Sequence, residues 1–396
     1  MKTLFALSFL FLICFTSKAQ DSTWTRNYEF GVFNQNDLRN SSSNAISTNR
    51  VLTDVFRKGV SSKMNDKVGN ALYGLYSFST TYLTMVWSHE FGHSLRAKQV
   101  GGEFRIHNAA LPIPYTTMHL PEDINLVDEA LSVTGGFEVN YLTVRKIQRE
   151  FVEQNGTFAE DLSFSFANRM MFPIYTSFVV RINPEEPNVW IETAGDPVHC
   201  VLPVFKNYSE NQVFVSDGVV NPELVKLYNQ SAMFASFFSL LDPQFYRELG
   251  GAFGKRDKTR RPVFLIGNHD TGWTYGTLFN MSPLGYELYL NNYVHLKGHK
   301  FSIYAKYGNP FKNNGLGIRY ANIVDNPKLN ISSSLDLWDQ DIFGMGISGE
   351  VEAKYKISEK FGLNMSLGYK TEGYVLGKQL GNGLNLGFGL AYYANY

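Results

Sequence analysis

From Val263 to the end of the chain the side-chain pattern repeats every two residues, and that period leaves few folds open. Phe301, Ile303, Ala305 and Tyr307 alternate with Ser302, Tyr304 and Lys306, and Leu363, Met365, Leu367 and Tyr369 alternate with Asn364, Ser366, Gly368 and Lys370. The stretch from Ile347 to Ile357 behaves likewise, and the last segment sets Leu384, Leu386, Phe388, Leu390, Tyr392, Ala394 and Tyr396 on one side. Successive side chains of a strand point to opposite faces, so each segment predicts a strand with one apolar and one polar face. Short turns between them predict an antiparallel sheet over 263–396. Its apolar face can meet a protein core, as in a soluble sheet or sandwich, or it can meet lipid.

The opposite end of the chain favours lipid. Lys2 precedes an apolar run from Leu4 to Phe15, and Ser17-Lys18-Ala19 supplies small residues for cleavage, so residues 1–19 predict a secretory signal peptide. With that leader removed Cys200 is the one remaining cysteine, and an exported chain has no internal disulfide. Aromatic residues at 15%, 34 glycines and charged residues at 18% suit an envelope protein with membrane strands. Strands of this length, ending on an aromatic residue, resemble the outer-membrane β-barrels of bacteria. The resemblance implies an exported protein in the cell envelope, in the outer membrane of a Gram-negative bacterium.

Charge excludes another class of partner. The chain has 36 basic and 36 acidic residues, and loss of Lys2 and Lys18 with the leader leaves 34 against 36, so nothing points to nucleic acid. The roughly 377 residues that follow the leader exceed what one core usually organises, which predicts two domains. The expected fold class is α+β, with a mostly helical domain over 20–262 and the antiparallel β-domain over 263–396.

In the first of these, Tyr28 to Phe33 predicts a short strand, and the Ser- and Asn-rich tract Asn34 to Asn49 predicts a surface loop. Helical spacing runs from Val68 to Val100. Ala71 to Trp87 holds no charged side chain, but Ser77, Ser79, Thr80, Thr81 and Thr84 argue against full contact with lipid and predict a buried core helix. Further helices are expected from about Asp123 to Glu153, from Phe158 to Ile182, and from Pro222 to about Leu249, with loop over 183–221.

The first long helix carries Ser88-His89-Glu90-Phe91-Gly92-His93. Two imidazoles four residues apart share a helix face and can reach one ion, and HExxH is a zinc pattern. Glu90 lies beside His89, placed to take a proton from water as general base without being a ligand. A catalytic zinc needs a third protein ligand. The first candidate is Glu138, in Gly135-Gly136-Phe137-Glu138, where paired glycines let a second helix approach; the rival is Asp242, at the end of the apolar run from Ala232. His107, His119, His199 and His269 sit in loop-like surroundings, and His199, in Asp196-Pro197-Val198-His199, is the candidate for substrate contact.

Ser88 to Val100, followed by Gly136-Phe137-Glu138-Val139-Asn140, resembles the site-2 protease family of membrane-associated zinc metallopeptidases, in which a Gly-x-x-x-Asn helix follows the HExxH helix. In that family an Asp of a distant Leu-Asp-Gly motif completes the site; here Leu241-Asp242-Pro243 departs at the glycine. The resemblance implies a Zn2+ cofactor, a peptide or protein substrate, and hydrolysis at His89, His93 and a carboxylate with Glu90 as base; Asn140 is expected near the ion. The competing expectation is a non-catalytic outer-membrane β-protein with a helical plug and a structural zinc site.

Overall fold

The computed structural model describes residues 25–34, 38–60, 64, 66–108, 114–181, 196–200, 215–216, 219–253 and 259–395. The expected leader, 1–19, and Tyr396 lie outside them.

The largest feature is a ten-stranded antiparallel sheet. Its long strands are β9 (Thr271–Ser282), β10 (Gly285–Leu296), β11 (His299–Pro310), β12 (Asn313–Asp325), β13 (Leu329–Gln340), β14 (Gly344–Lys356), β15 (Phe361–Lys370) and β16 (Gly383–Asn395), each paired with the next. Tight turns join them: Lys297 and Gly298, between β10 and β11, both have positive φ, at 50° and 92°, as a two-residue hairpin loop requires. At one edge β8 (Ile266–Gly267) adds two residues to β9. At the other, β1 (Thr25–Asn34) pairs with β16 from Thr25 opposite Asn395 to Asn34 opposite Gly387.

The alternation expected from sequence is present, and it is inside out. Leu316 is 59% exposed, Leu367 55% and Leu386 53%, whereas Glu287, Lys306, Asn313, Asp336 and Lys370 are buried. Inward polar groups satisfy one another: Lys306 Nζ donates to Glu287 Oε1 at 2.8 Å and to Asn313 Oδ1 at 2.7 Å.

The helices lie against the polar side of the sheet and beside its edges. They are α1 (Arg39–Gly59), α2 (Asp66–Gln99), α3 (Leu126–Glu153), α4 (Ala159–Arg181), the single turn α5 (Asp196–His199), α6 (Pro222–Ser236) and α7 (Phe245–Phe253). A 3-10 turn, Phe237–Leu241, continues α6, so the single helix expected over Pro222 to Leu249 breaks at Asp242-Pro243. Between α2 and α3 runs a hairpin, β2 (Glu103–His107) with β3 (Tyr115–His119). Two short pairs complete the strands: β4 (Thr157–Phe158) pairs with β7 (Thr259–Arg260), and β5 (Val215–Ser216) with β6 (Val219–Val220). Helix α3 is the axis. Asn125 caps it by accepting from Val127 N and Asp128 N, at 3.1 and 2.9 Å, and its side chains are buried along most of its length.

Three further expectations change. The boundary at 262/263 falls inside one packed unit: Phe137, Tyr141 and Phe172 of the helices share an apolar cluster with Phe279, Tyr289 and Tyr304 of the sheet. Ion pairs cross the same line, with Arg39 Nη1 at 2.6 Å from Glu350 and Arg319 Nη1 at 2.7 Å from Glu153. The tract expected as surface loop, Asn34 to Asn49, mostly forms α1, because its polar side chains serve the free edge of β1 rather than solvent. Ser47 Oγ donates to Glu29 O and accepts from Glu29 N, both at 2.7 Å, and Asn44 Oδ1 accepts from Gly31 N at 2.8 Å. Helix α2 is not a buried core helix: Ser77, Thr80, Thr81 and Thr84 point inward, and Leu75 and Phe78, 66% and 64% exposed, point out.

Candidate metal centre

Helices α2 and α3 cross where neither has side chains to hold them apart. A Cβ on Gly92 would lie 2.2 Å from Gly135 O, and one on Gly135 2.5 Å from Gly92 O, so the two backbones touch. Gly136 faces the histidines, and a Cβ there would meet His93 Nε2 at 2.5 Å and His89 Nε2 at 2.6 Å. The second variable position of the HExxH motif and the Gly-Gly pair are thus one device for close approach.

His89 and His93 meet as their spacing predicts, with their Nε2 atoms 3.1 Å apart. The third group is Asp196, at the start of α5: its Oδ2 lies 3.2 Å from His89 Nε2 and 3.3 Å from His93 Nε2. These three are the group of potential metal ligands found among the described residues. Tetrahedral zinc with ligands at about 2.0–2.1 Å requires neighbouring donors roughly 3.3–3.4 Å apart, and the observed triangle comes within a few tenths of an ångström of that. Zinc therefore fits the residues present.

The protonation pattern points the same way, by a chain of donors. Asn168 Nδ2 donates to Phe164 O at 2.8 Å, which leaves Asn168 Oδ1 to accept from Asn140 Nδ2 at 2.7 Å. Asn140 Oδ1 is then the acceptor 2.8 Å from His89 Nδ1, so that nitrogen carries the proton. His93 Nδ1 faces Ser132 O at 3.2 Å and is protonated for the same reason. In their neutral forms both rings then turn an Nε2 lone pair toward the Asp196 carboxylate, the arrangement that a bound cation would use.

Glu138 does not join the site. Gly136 and Asn140, four residues apart on α3, face the histidines; Glu138 lies midway between them, about 200° around the helix, and points elsewhere. Its oxygens accept from Arg96 Nε and Nη2 at 2.8 and 2.6 Å, with Gly377 N at 2.6 Å. Asp242 is also absent: it pairs with Arg169 Nη2 at 3.0 Å and accepts from Gln244 N at 2.8 Å. Glu90 is buried beside His89, and among the described residues its carboxylate makes no hydrogen bond or ion pair; its backbone carbonyl accepts from Thr116 of β3 at 3.2 Å. Of the remaining histidines, His107 bonds to Thr117 in the hairpin and His269 packs on His295 beside the sheet. The His199 side chain lies outside the described residues.

Sequence reasoning missed Asp196 and Asn168. Asp196 stands three residues before the singled-out His199, in a stretch without periodicity, and an acidic residue before proline was its one visible sign. Asn168 sits on α4 and has no motif around it.

No protein-family model matches this chain, and no curated protein does. Its antiparallel strands are similar to those of two membrane β-barrels of known structure. One, titled "De novo design of transmembrane beta-barrels", matches at 12% identity and a TM-score of 0.16, over 28% of this chain and 82% of its own. The other, an anion-selective porin from Comamonas acidovorans, matches at 13% identity and a TM-score of 0.23, over 32% of this chain and 45% of the porin. At TM-scores this low neither likeness adds to what the chain's own residues show.

Proposed function

We propose that this is an outer-membrane β-protein of the bacterial envelope whose helical filling carries a zinc-dependent hydrolase centre acting on peptide bonds. The membrane part rests on the inverted sheet: apolar side chains on the exposed face and ionic ones on the buried face are unfavourable in water and suited to lipid. The zinc part rests on the triangle of His89, His93 and Asp196, which would supply three protein ligands, the number a catalytic zinc site uses. Zinc held there supplies Lewis acidity and lowers the pKa of water. The protein supplies the rest. Glu90 accepts the proton of the attacking water and returns it to the leaving amine, and Asn140, oriented by Asn168, fixes the His89 ring.

The second reading keeps the membrane sheet and makes the zinc structural; the burial of His89 and His93, 2% and 3% exposed, favours it. Glu90→Gln separates the two. In the hydrolase the variant retains zinc and loses about a hundred- to ten-thousand-fold in cleavage of a mixed peptide library. Equal cleavage by parent and variant, or none by either with zinc fully bound, refutes the hydrolase and leaves the structural site.

A further inference from the structure

The sheet does not account for the whole perimeter. Among the described residues its edges are β1 and β8, and these are not paired to each other. Helices lie across the gap: α1 packs on β1, α2 on α1, α4 on α2, α6 on α4, and the 3-10 turn on β9. Both edges are tied to this run. Asn44 and Ser47 of α1 bond to the β1 backbone; across the gap, Arg169 Nη1 of α4 donates to Thr277 O, and Thr277 Oγ1 donates to Phe238 O, each at 2.8 Å.

These bridging helices share the outward apolar face of the sheet, while their inner sides mix polar groups with core residues such as Phe164 and Phe172 of α4 and Val225 and Ala232 of α6. Between Ala71 and Phe91 the exposed residues of α2 are Ala71, Leu72, Leu75, Phe78, Ser79, Tyr82, Leu83 and Phe91. Ser79 is the polar exception, and its hydroxyl donates to Leu75 O at 3.0 Å within the helix. The buried side of the same span carries Ser77, Thr80, Thr81, Thr84, Ser88 and His89, together with Tyr73, Met85 and Val86. Further round, Ile174 and Phe178 of α4 are 51% and 61% exposed, while Asn168, Arg169 and Thr176 are buried. Leu227 and Phe234 of α6, 61% and 67% exposed, stand opposite buried Asn229 and Ser236. A helix packed on a protein core in water presents charged and polar side chains on its outer face instead.

We propose that the outward faces of α2, α4 and α6 contact lipid acyl chains, so that helices complete the membrane-facing wall that the strands begin. The inference rests on the membrane reading of the sheet and extends it to a surface that reading does not cover. Length agrees: Ala71 to Phe91 rises about 30 Å, the thickness of a bilayer's hydrocarbon core. Charge agrees too, because the span has no Asp, Lys or Arg, and its His89 and Glu90 are both buried. Among the described residues no helix is long and apolar enough to cross a membrane by average hydropathy. That average includes the inward Ser and Thr face, as it does in a membrane strand whose alternate residues are polar.

The test uses single cysteines at Leu75, Phe78 and Phe234, with Leu367 on β15 as the sheet reference, in the full chain with buried Cys200 left in place. Each is labelled with bimane, and the protein is reconstituted into phosphatidylcholine vesicles with and without doxyl-labelled phosphatidylcholine. Quenching of the Leu75, Phe78 and Phe234 labels by doxyl lipid to at least about half the extent at Leu367, with little quenching by aqueous iodide, is the expected result. Doxyl quenching at Leu367 with iodide quenching at the helix positions overturns the helical wall and leaves the membrane sheet standing. Helix labels shielded from both quenchers, with energy transfer between differently labelled copies, assign that face to a second copy of this chain and also overturn it. Iodide quenching at Leu367 as well removes the membrane reading itself.

Discussion

Replacing Glu138 by alanine is expected to reduce stability and to leave zinc in place, the opposite of Asp196→Ala. The side chains of Glu138 and Arg96 are both 0% exposed, and one carboxylate answers Arg96 Nε and Nη2 together with Gly377 N and the Tyr374 hydroxyl. Alanine leaves a buried guanidinium without a counter-charge and a buried backbone N–H without an acceptor. Removing one partner of a buried pair costs about 3–5 kcal/mol, which is two to four decades in the unfolding equilibrium. Converting both partners to apolar residues of similar size, Arg96→Met with Glu138→Leu, is expected to recover most of that loss, since the pair must offset its own desolvation. Denaturant unfolding of detergent-solubilised protein measures the stability, and metal analysis of the folded fraction counts zinc. A structural role for Glu138 is refuted if folded Glu138→Ala loses zinc as Asp196→Ala does, or if it unfolds at the same denaturant concentration as the parent.

Other changes address the site and the sheet. Gly136→Ala is expected to abolish zinc binding while the sheet persists, because the new methyl would occupy space within 2.6 Å of both Nε2 atoms; zinc per chain and circular dichroism check it. Asn140→Leu removes the acceptor from His89 Nδ1 and is expected to weaken zinc by about ten- to a hundred-fold in competition with a chelator, with unchanged affinity as the contrary result. Leu367→Arg, on the outer face, is expected to destabilise the protein in vesicles by up to about 2–4 kcal/mol, the value for a midplane position; an unchanged unfolding midpoint would count against lipid there.

How much of this is visible in the sequence depends on whether the signal is local. The sheet is, because alternation is a property of neighbours: Met365, Leu367 and Tyr369 share a side of their strand whatever packs against it. The His pair is equally local, since residues four apart on one helix meet whatever surrounds them. The third ligand is not. Gly135-Gly136 correctly signals that α3 comes close, but the rotation that turns Gly136 and Asn140 inward turns Glu138 away, and only the packing reveals which face is presented. Asp196 arrives from a separate turn whose sequence has no period. For α2 the uncharged run was legible and its direction was not: a helix with apolar and hydroxyl faces can point either way, and the strand edges it helps to bridge belong to distant parts of the chain.

The pairing of β1 with β16 constrains the order in which this molecule can be made. Thr25 must wait for Asn395, so β1 cannot complete its pairing until β16 has been made, whereas its other edge is served by the nearby side chains of α1. Contacts this distant in sequence form slowly, because the intervening loop must be closed before they are rewarded. The helical filling, rich in local contacts, can assemble first and act as the former around which the sheet is wound. A version of the gene permuted to fuse β16 directly to β1 would turn the slowest step into a hairpin and expose whether the helices lead or follow.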